Sequence, residues 1–264
     1  MKAQKYYKLA RPDGWDFHTG KTINYRANIG RTVLIEDKGY YELCTNTVIH
    51  ASRDPNDCFV GAYIPCSAYE VWGIPVIEDA EKCGFTSLKV VREITNLDEL
   101  FGWKYSEVIN PINPLEIAPP IKIHKKHLGL LKEWIEICSA LWRDAGARVG
   151  DYIRYKMNGM VKGVVARKVE ERIWKWMIEN IRNNYSKRDR HILWSYKSMN
   201  NNIWAYIGSL FFNVKWGYFE KHPDKYPFQS LVKLWKMGLI PSFDGEIWRL
   251  HGGSQGKVLW EGKP

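Results

Sequence analysis

The chain has 264 residues, of which 45% are hydrophobic and 26% charged, with a formal net charge of +10. That composition belongs to a globular chain and excludes a collagen-like, low-complexity or disulfide-stapled one. No window approaches 18 uncharged apolar residues, so no transmembrane helix and no membrane partner are expected, and five cysteines behind an N-terminus without a signal-like apolar stretch predict reduced thiols in a cytoplasmic protein.

Taken along the chain, the first feature is Arg11-Pro12-Asp13-Gly14, a turn in which Pro presets φ and Gly accepts positive φ. Short apolar runs follow at Thr32–Ile35, Thr47–His50, Phe59–Ile64, Ala68–Trp72 and Leu88–Ile94. Their length and their β-branched and aromatic content predict strands. Asp54 or Ser52 can cap a short helix beginning at Pro55 and carrying Cys58 and Phe59. Residues 1–110 therefore read as a small, mainly β, α+β domain.

Four of the five cysteines lie here, Cys44, Cys58, Cys66 and Cys83, without a CxxC pair. A zinc site needs ligands that converge, and its signatures place two on one tight turn. The cysteines are read as small buried hydrophobes, with no metal expected. A catalytic alternative combines Arg11, His50 and Glu93 on separate strands. Arg would hold a phosphate and Glu would orient a ribose hydroxyl, as in ADP-ribosyltransferases, with NAD as the cofactor. Without that activity no cofactor is expected.

Residues 111–120 lie in the proline-rich stretch Asn110–Pro120, which predicts an extended linker. Charge changes across it. Residues 1–120 carry 13 basic and 16 acidic residues, whereas 121–264 carry 26 and 13, together with ten of the 13 Trp.

Beyond the linker, residues 121–264 read as a basic helical domain ending in a hairpin. Residues 121–145 show the i, i+3, i+4 apolar pattern of an amphipathic helix. A four-residue apolar rhythm then runs through Val149, Ile153, Met157, Val161, Val165, Val169, Ile173, Met177 and Ile181, and returns at Met199, Ile203, Ile207 and Phe211. Four residues advance 400° on a helix, so the stripe drifts by about 40° per step and one straight helix cannot keep it on one face. Bends or breaks are expected at Gly146, Gly150, Gly159 or Gly163. The stripe suits core helices or the seam of a homo-oligomer.

The positions between are mostly basic, with aromatic side chains interleaved. Lys and Arg neutralise phosphates, and aromatic faces stack on unpaired bases. This predicts DNA or RNA as partner, with Arg167, Lys168, Arg172, Lys187, Arg188 and Arg190 on phosphates and Trp174, Trp176 or Trp194 stacking. Further on, Ser230–Met237 predicts a short amphipathic helix stopped by Gly238. The strands Ile247–His251 and Lys257–Trp260 predict a hairpin closing the domain.

Three stretches together resemble a group of proteins from phages, prophages and archaea. They are Leu43–Ser52 (LCTNTVIHAS) with Glu78–Phe85, the four-residue array, and Ile203–Phe211 with Tyr226–Gln229 and Pro241–Gly252. In that group the first stretch is an LHA- or GFH-type strand, and the array looks like repeated Val-Arg/Trp-Asp-Ser. Here the Asp-Ser pair is missing. The resemblance implies a protein encoded by a phage or other mobile element and attaches no activity to it. The expectation is an α+β protein that binds nucleic acid through its helical domain, with the ADP-ribosyltransferase and oligomeric assembly readings as alternatives.

Overall fold

Residues 4–10 (QKYYKLA) alternate across the pleat, with Tyr6 and Ala10 turned to the core, and form strand β1. The structure is a computed structural model that describes residues 2–160, 162–184, 196–211 and 226–264. It is α+β and divides into two compact units, Met1–Ile109 and Asn110–Pro264.

In the first unit β1 pairs antiparallel with β4 (Ser67–Gly73), which pairs with β7 (Ser87–Ile94), and β7 with β2 (Thr32–Leu34), in the order β1-β4-β7-β2. A second antiparallel sheet joins β3 (Ile49–Ala51), β6 (Cys83–Phe85) and β5 (Ile77–Glu78) in the order β3-β6-β5. Two backbone hydrogen bonds between Tyr7 and Ser52, at 2.8 and 3.0 Å, fasten the end of β3 to β1. The core between the sheets holds Tyr6, Ile49, Tyr69, Val71, Phe85, Leu88 and Val90, with Tyr25 from the loop after β1.

The run at 59–64, expected as a strand, instead supplies the end of a 3-10 helix, Pro55–Val60. The Asp54 carboxylate accepts from the Asn56 N–H at 2.8 Å, and Pro55 occupies the first turn, so local capping outweighs the β tendency of the following residues. Two short helices, α1 (Leu97–Phe101) and α2 (Tyr105–Ile109), close the unit; Phe101, Trp103 and Tyr105 cluster around Phe59.

The second unit begins with the proline-rich segment, which is packed rather than a free spacer. Leu115 is buried, the Ile112 N–H donates to the Tyr206 hydroxyl at 2.9 Å, and Asn113 donates to Asn180. Gly238 has φ +69°, and a Cβ there would lie 2.5 Å from the Ile117 carbonyl oxygen, so this close approach needs glycine. Proline removes backbone donors, but it leaves apolar rings and carbonyls that pack; Pro119 sits against Gly252.

The helices are α3 (Lys125–Ala145), α4 (Val149–Met160), α5 (Gly163–Asn184), α6 (Tyr196–Leu210) and α7 (Gln229–Lys236). α3 packs on α7 and α4 on α6. Gly146, with φ +60°, ends α3, and a new helix starts at Gly163, as the drifting stripe requires. Val149, Ile153, Met157, Val165, Val169, Ile173 and Met177 are all buried, so the stripe is taken up by the unit's own core. Gly150 lies inside α4 under the Trp204 ring, where a Cβ would come within 2.9 Å of it. The C-terminus is a three-stranded antiparallel sheet, β8 (Leu239–Phe243), β9 (Trp248–Gly252) and β10 (Lys257–Gly262), one strand more than the expected hairpin. Among the described residues no helix is long and apolar enough to cross a membrane.

Candidate functional site

In the first unit a cavity of about 580 Å³ opens between β1, the loop that follows it, residues 44–52 and residues 57–63. Its size falls within the roughly 300–1,000 Å³ of small-molecule sites. Lys8 and Lys82, Asp16 and Asp57, and His18 and His50 line it.

Lys8 is the anomaly. The period of two that turns Tyr6 and Ala10 into the core gives Lys8 the same face, so this strand puts an ammonium where its neighbours put apolar groups. Lys8 is half-buried, with its Nζ 5.4 Å from the centroid of the Tyr25 ring. Burial holds its ammonium below the ordinary lysine range, opposed by Cys58 and Asp16. Among the described residues neither Lys8 nor Lys82 forms an ion pair. The Lys82 ammonium donates instead to the Cys44 sulfur at 3.1 Å.

Asp16 organises the loop rather than serving the lysines. Its carboxylate accepts from the backbone N–H groups of Thr19 at 2.7 Å, Thr22 at 3.1 Å and Ile23 at 3.3 Å, and from the Thr19 hydroxyl. Burial opposes ionisation, but these donors prevail and hold the carboxyl below its usual range. The loop so fixed carries Phe17 and His18 to the cavity.

His50 comes from β3, and its Nε2 accepts from the Cys44 N–H at 2.8 Å. Accepting at Nε2 makes it the neutral tautomer with hydrogen on Nδ1. Burial, then the Lys8 and Lys82 ammoniums and His18, push it down to about 4. Cys44 itself is exposed, with φ +66°, a left-handed conformation unusual for a non-glycine residue. Cys58, which donates to the Tyr7 carbonyl, is pushed up to about 11 by burial, and Cys66 to about 12. Those two thiols are structural. Among the described residues no group of three or more His, Cys, Asp or Glu side chains could hold a metal ion.

The residues of the ADP-ribosyltransferase alternative are placed differently. His50 lines the cavity, whereas Arg11 and Glu93 do not. Arg11 is exposed and pairs with Asp13 at 2.9 Å, two residues on in its own turn. Glu93 is gripped by Arg26 through two bonds of 2.9 and 2.6 Å. A fork of that kind uses both carboxylate oxygens. The residues that order of types did not single out are Lys8 and Lys82; the signal for Lys8 is a lysine inside the alternating KYYKLA strand, and Lys82, just before β6, carries none.

In the second unit, Arg167 is exposed, 4.0 Å from Glu171. Lys168, Arg172, Trp174 and Trp176 are half-buried on α5. Lys168, Arg172, Lys175 and Trp176 follow one another at i, i+4, i+7 and i+8, on one helix face. Lys187, Arg188, Arg190 and Trp194 lie outside the described residues. Arg154, another basic residue of this region, is held by Glu170 at 2.8 Å and lies over the Trp204 ring. Compared with known proteins, the chain matches no family model, no curated protein and no solved structure.

Proposed function

We propose that the first unit binds a small anionic ligand in this cavity, with Lys8 and Lys82 supplying the positive charge. The observation that carries the reading is Lys8, an ammonium on the core face of β1 that lines the cavity, with no carboxylate paired to it among the described residues. An unpaired, half-buried charge is costly to keep, and an anion in the cavity offsets that cost. The low proton affinity of His50 has the same origin in part, because both lysines repel a proton there. Calorimetric titration with inorganic phosphate and pyrophosphate at low salt tests it. Binding that weakens with salt and falls about 10-fold or more in Lys8→Met supports the reading, taking about 1.5–3 kcal/mol for a hydrogen bond to a charged group. Absence of binding, or equal binding by Lys8→Met, overturns it.

A second reading concerns the helical unit. We propose contact between α5 and nucleic acid, supported by the face that combines Lys168, Arg172 and Lys175 with Trp176. Titration with single- and double-stranded DNA and RNA tests it. Salt-dependent binding reduced by Arg172→Gln and Lys175→Gln together supports it, and no binding at low ionic strength overturns it. The phage or mobile-element origin remains what the sequence resemblance implies.

A further inference from the structure

Two aromatic rings stand at the same cavity, one half-buried and one exposed. Phe17 is delivered by the Asp16-organised loop, and Tyr63 by the segment after the 3-10 helix. Their ring centroids are 6.0 Å apart with planes at 64°, and Tyr63 is 59% exposed. An exposed tyrosine beside a half-buried phenylalanine at a concave site offers π faces and ring edges to a planar ligand. Lys8 and Lys82 are half-buried, as Phe17 is, so the same lining combines two ammoniums with two aromatic rings, of which Tyr63 is the more exposed.

We infer that the ligand is a nucleotide, its phosphate toward Lys8 and Lys82 and its base against Phe17 and Tyr63. This rests on the anion-binding reading above. Two ammoniums match a phosphate dianion better than a monoanionic carboxylate. Aromatic stacking serves any base, because every base has a π face, so the site recognises the class rather than one base. The cavity volume leaves room for both parts of a nucleoside monophosphate.

The test compares inorganic phosphate with AMP, GMP, CMP and UMP on the whole chain, and with the double variant Phe17→Ala/Tyr63→Ala. At least one mononucleotide is expected to bind roughly 10-fold or more tighter than phosphate, the gain that stacking on one base brings. The double variant is expected to lose that advantage and keep the affinity for phosphate. Phosphate binding with no mononucleotide advantage overturns the nucleotide inference and leaves the anion site standing. So does an advantage that survives in the double variant. Failure of every anion to bind the folded wild type overturns both. Circular dichroism of the variant separates loss of the rings from loss of the fold, and single Phe17→Leu and Tyr63→Leu substitutions, which keep bulk without the π face, are expected to show the same selective loss.

Discussion

The two units fill their interiors in different ways. The second is built on helices that bury Trp134, Ile153, Ile173, Ile203 and Trp235, and the polar side chains it buries among the described residues, such as His127, Asn202, Ser230 and His251, include no Asp, Glu, Lys or Arg. The first also buries Asp16 and Asp57, and these line one cavity with Lys8, Lys82, His18 and His50. Of these groups Lys8 is the one charge on a core face that forms no ion pair among the described residues. The net charge runs opposite to this: the basic excess is in the helical half, while the more specific arrangement of charge is in the near-neutral half.

The largest test of that contrast is of the cores themselves. Phe85→Ala in the first unit and Trp235→Ala in the second each remove a fully buried ring. Each is expected to cost about 3–5 kcal/mol in denaturant unfolding. A small loss at either position would mean that the core described for that unit is not what holds it.

Lys8→Met is expected to act in the other direction. It keeps the stem, removes the half-buried charge and should raise stability by about 1 kcal/mol while it weakens anion binding about 10-fold or more. If the variant is less stable than the wild type, Lys8 is a structural residue and the contrast between the units weakens.

His50 gives the first unit a pH dependence. Its folded value, pushed down to about 4, lies below the unfolded value of about 6.5. Between these the unfolded chain binds more protons, so stability is fully present above pH 6.5 and is lost as pH falls toward 4. Allowing for screening at a half-exposed site, about 1 kcal/mol is expected to disappear between pH 7 and pH 5. His50→Asn should flatten that slope; an unchanged slope would assign it to other groups.

The smallest effect belongs to Glu93, which residue order suggested for catalysis together with Arg11 and His50. Glu93→Gln breaks an exposed ion pair with Arg26 and is expected to cost at most about 1 kcal/mol, without effect on phosphate binding. Loss of binding would draw Glu93 back toward the site.

Several of these features were legible in the sequence, and the rest failed for identifiable reasons. The periodicity of 121–145 predicted α3, and the drift of the four-residue stripe predicted a helix break where α4 gives way to α5. The Gly252–Gly256 loop marked the β9–β10 turn. β1 does not stand out as a strand in the sequence, because Lys5 and Lys8 interrupt its apolar run, and Lys8 acquires meaning only once the alternation of β1 puts it beside Tyr6 and Ala10. His50 was legible as a histidine ending an apolar run. Arg11 and Glu93 stand out by residue type alone, and their partners Asp13 and Arg26 depend on a turn and on a tertiary contact that types do not specify.

The most direct measurement is the NMR titration of the His50 imidazole with and without pyrophosphate, in the wild type and in Lys8→Met. The account predicts titration near 4 in the free protein, from burial and the two ammoniums. Pyrophosphate should raise it in the wild type, because an anion between the lysines favours the imidazolium. Lys8→Met should show a higher starting value and little response. A His50 titration that pyrophosphate leaves unmoved in the wild type would contradict an anion site in this cavity.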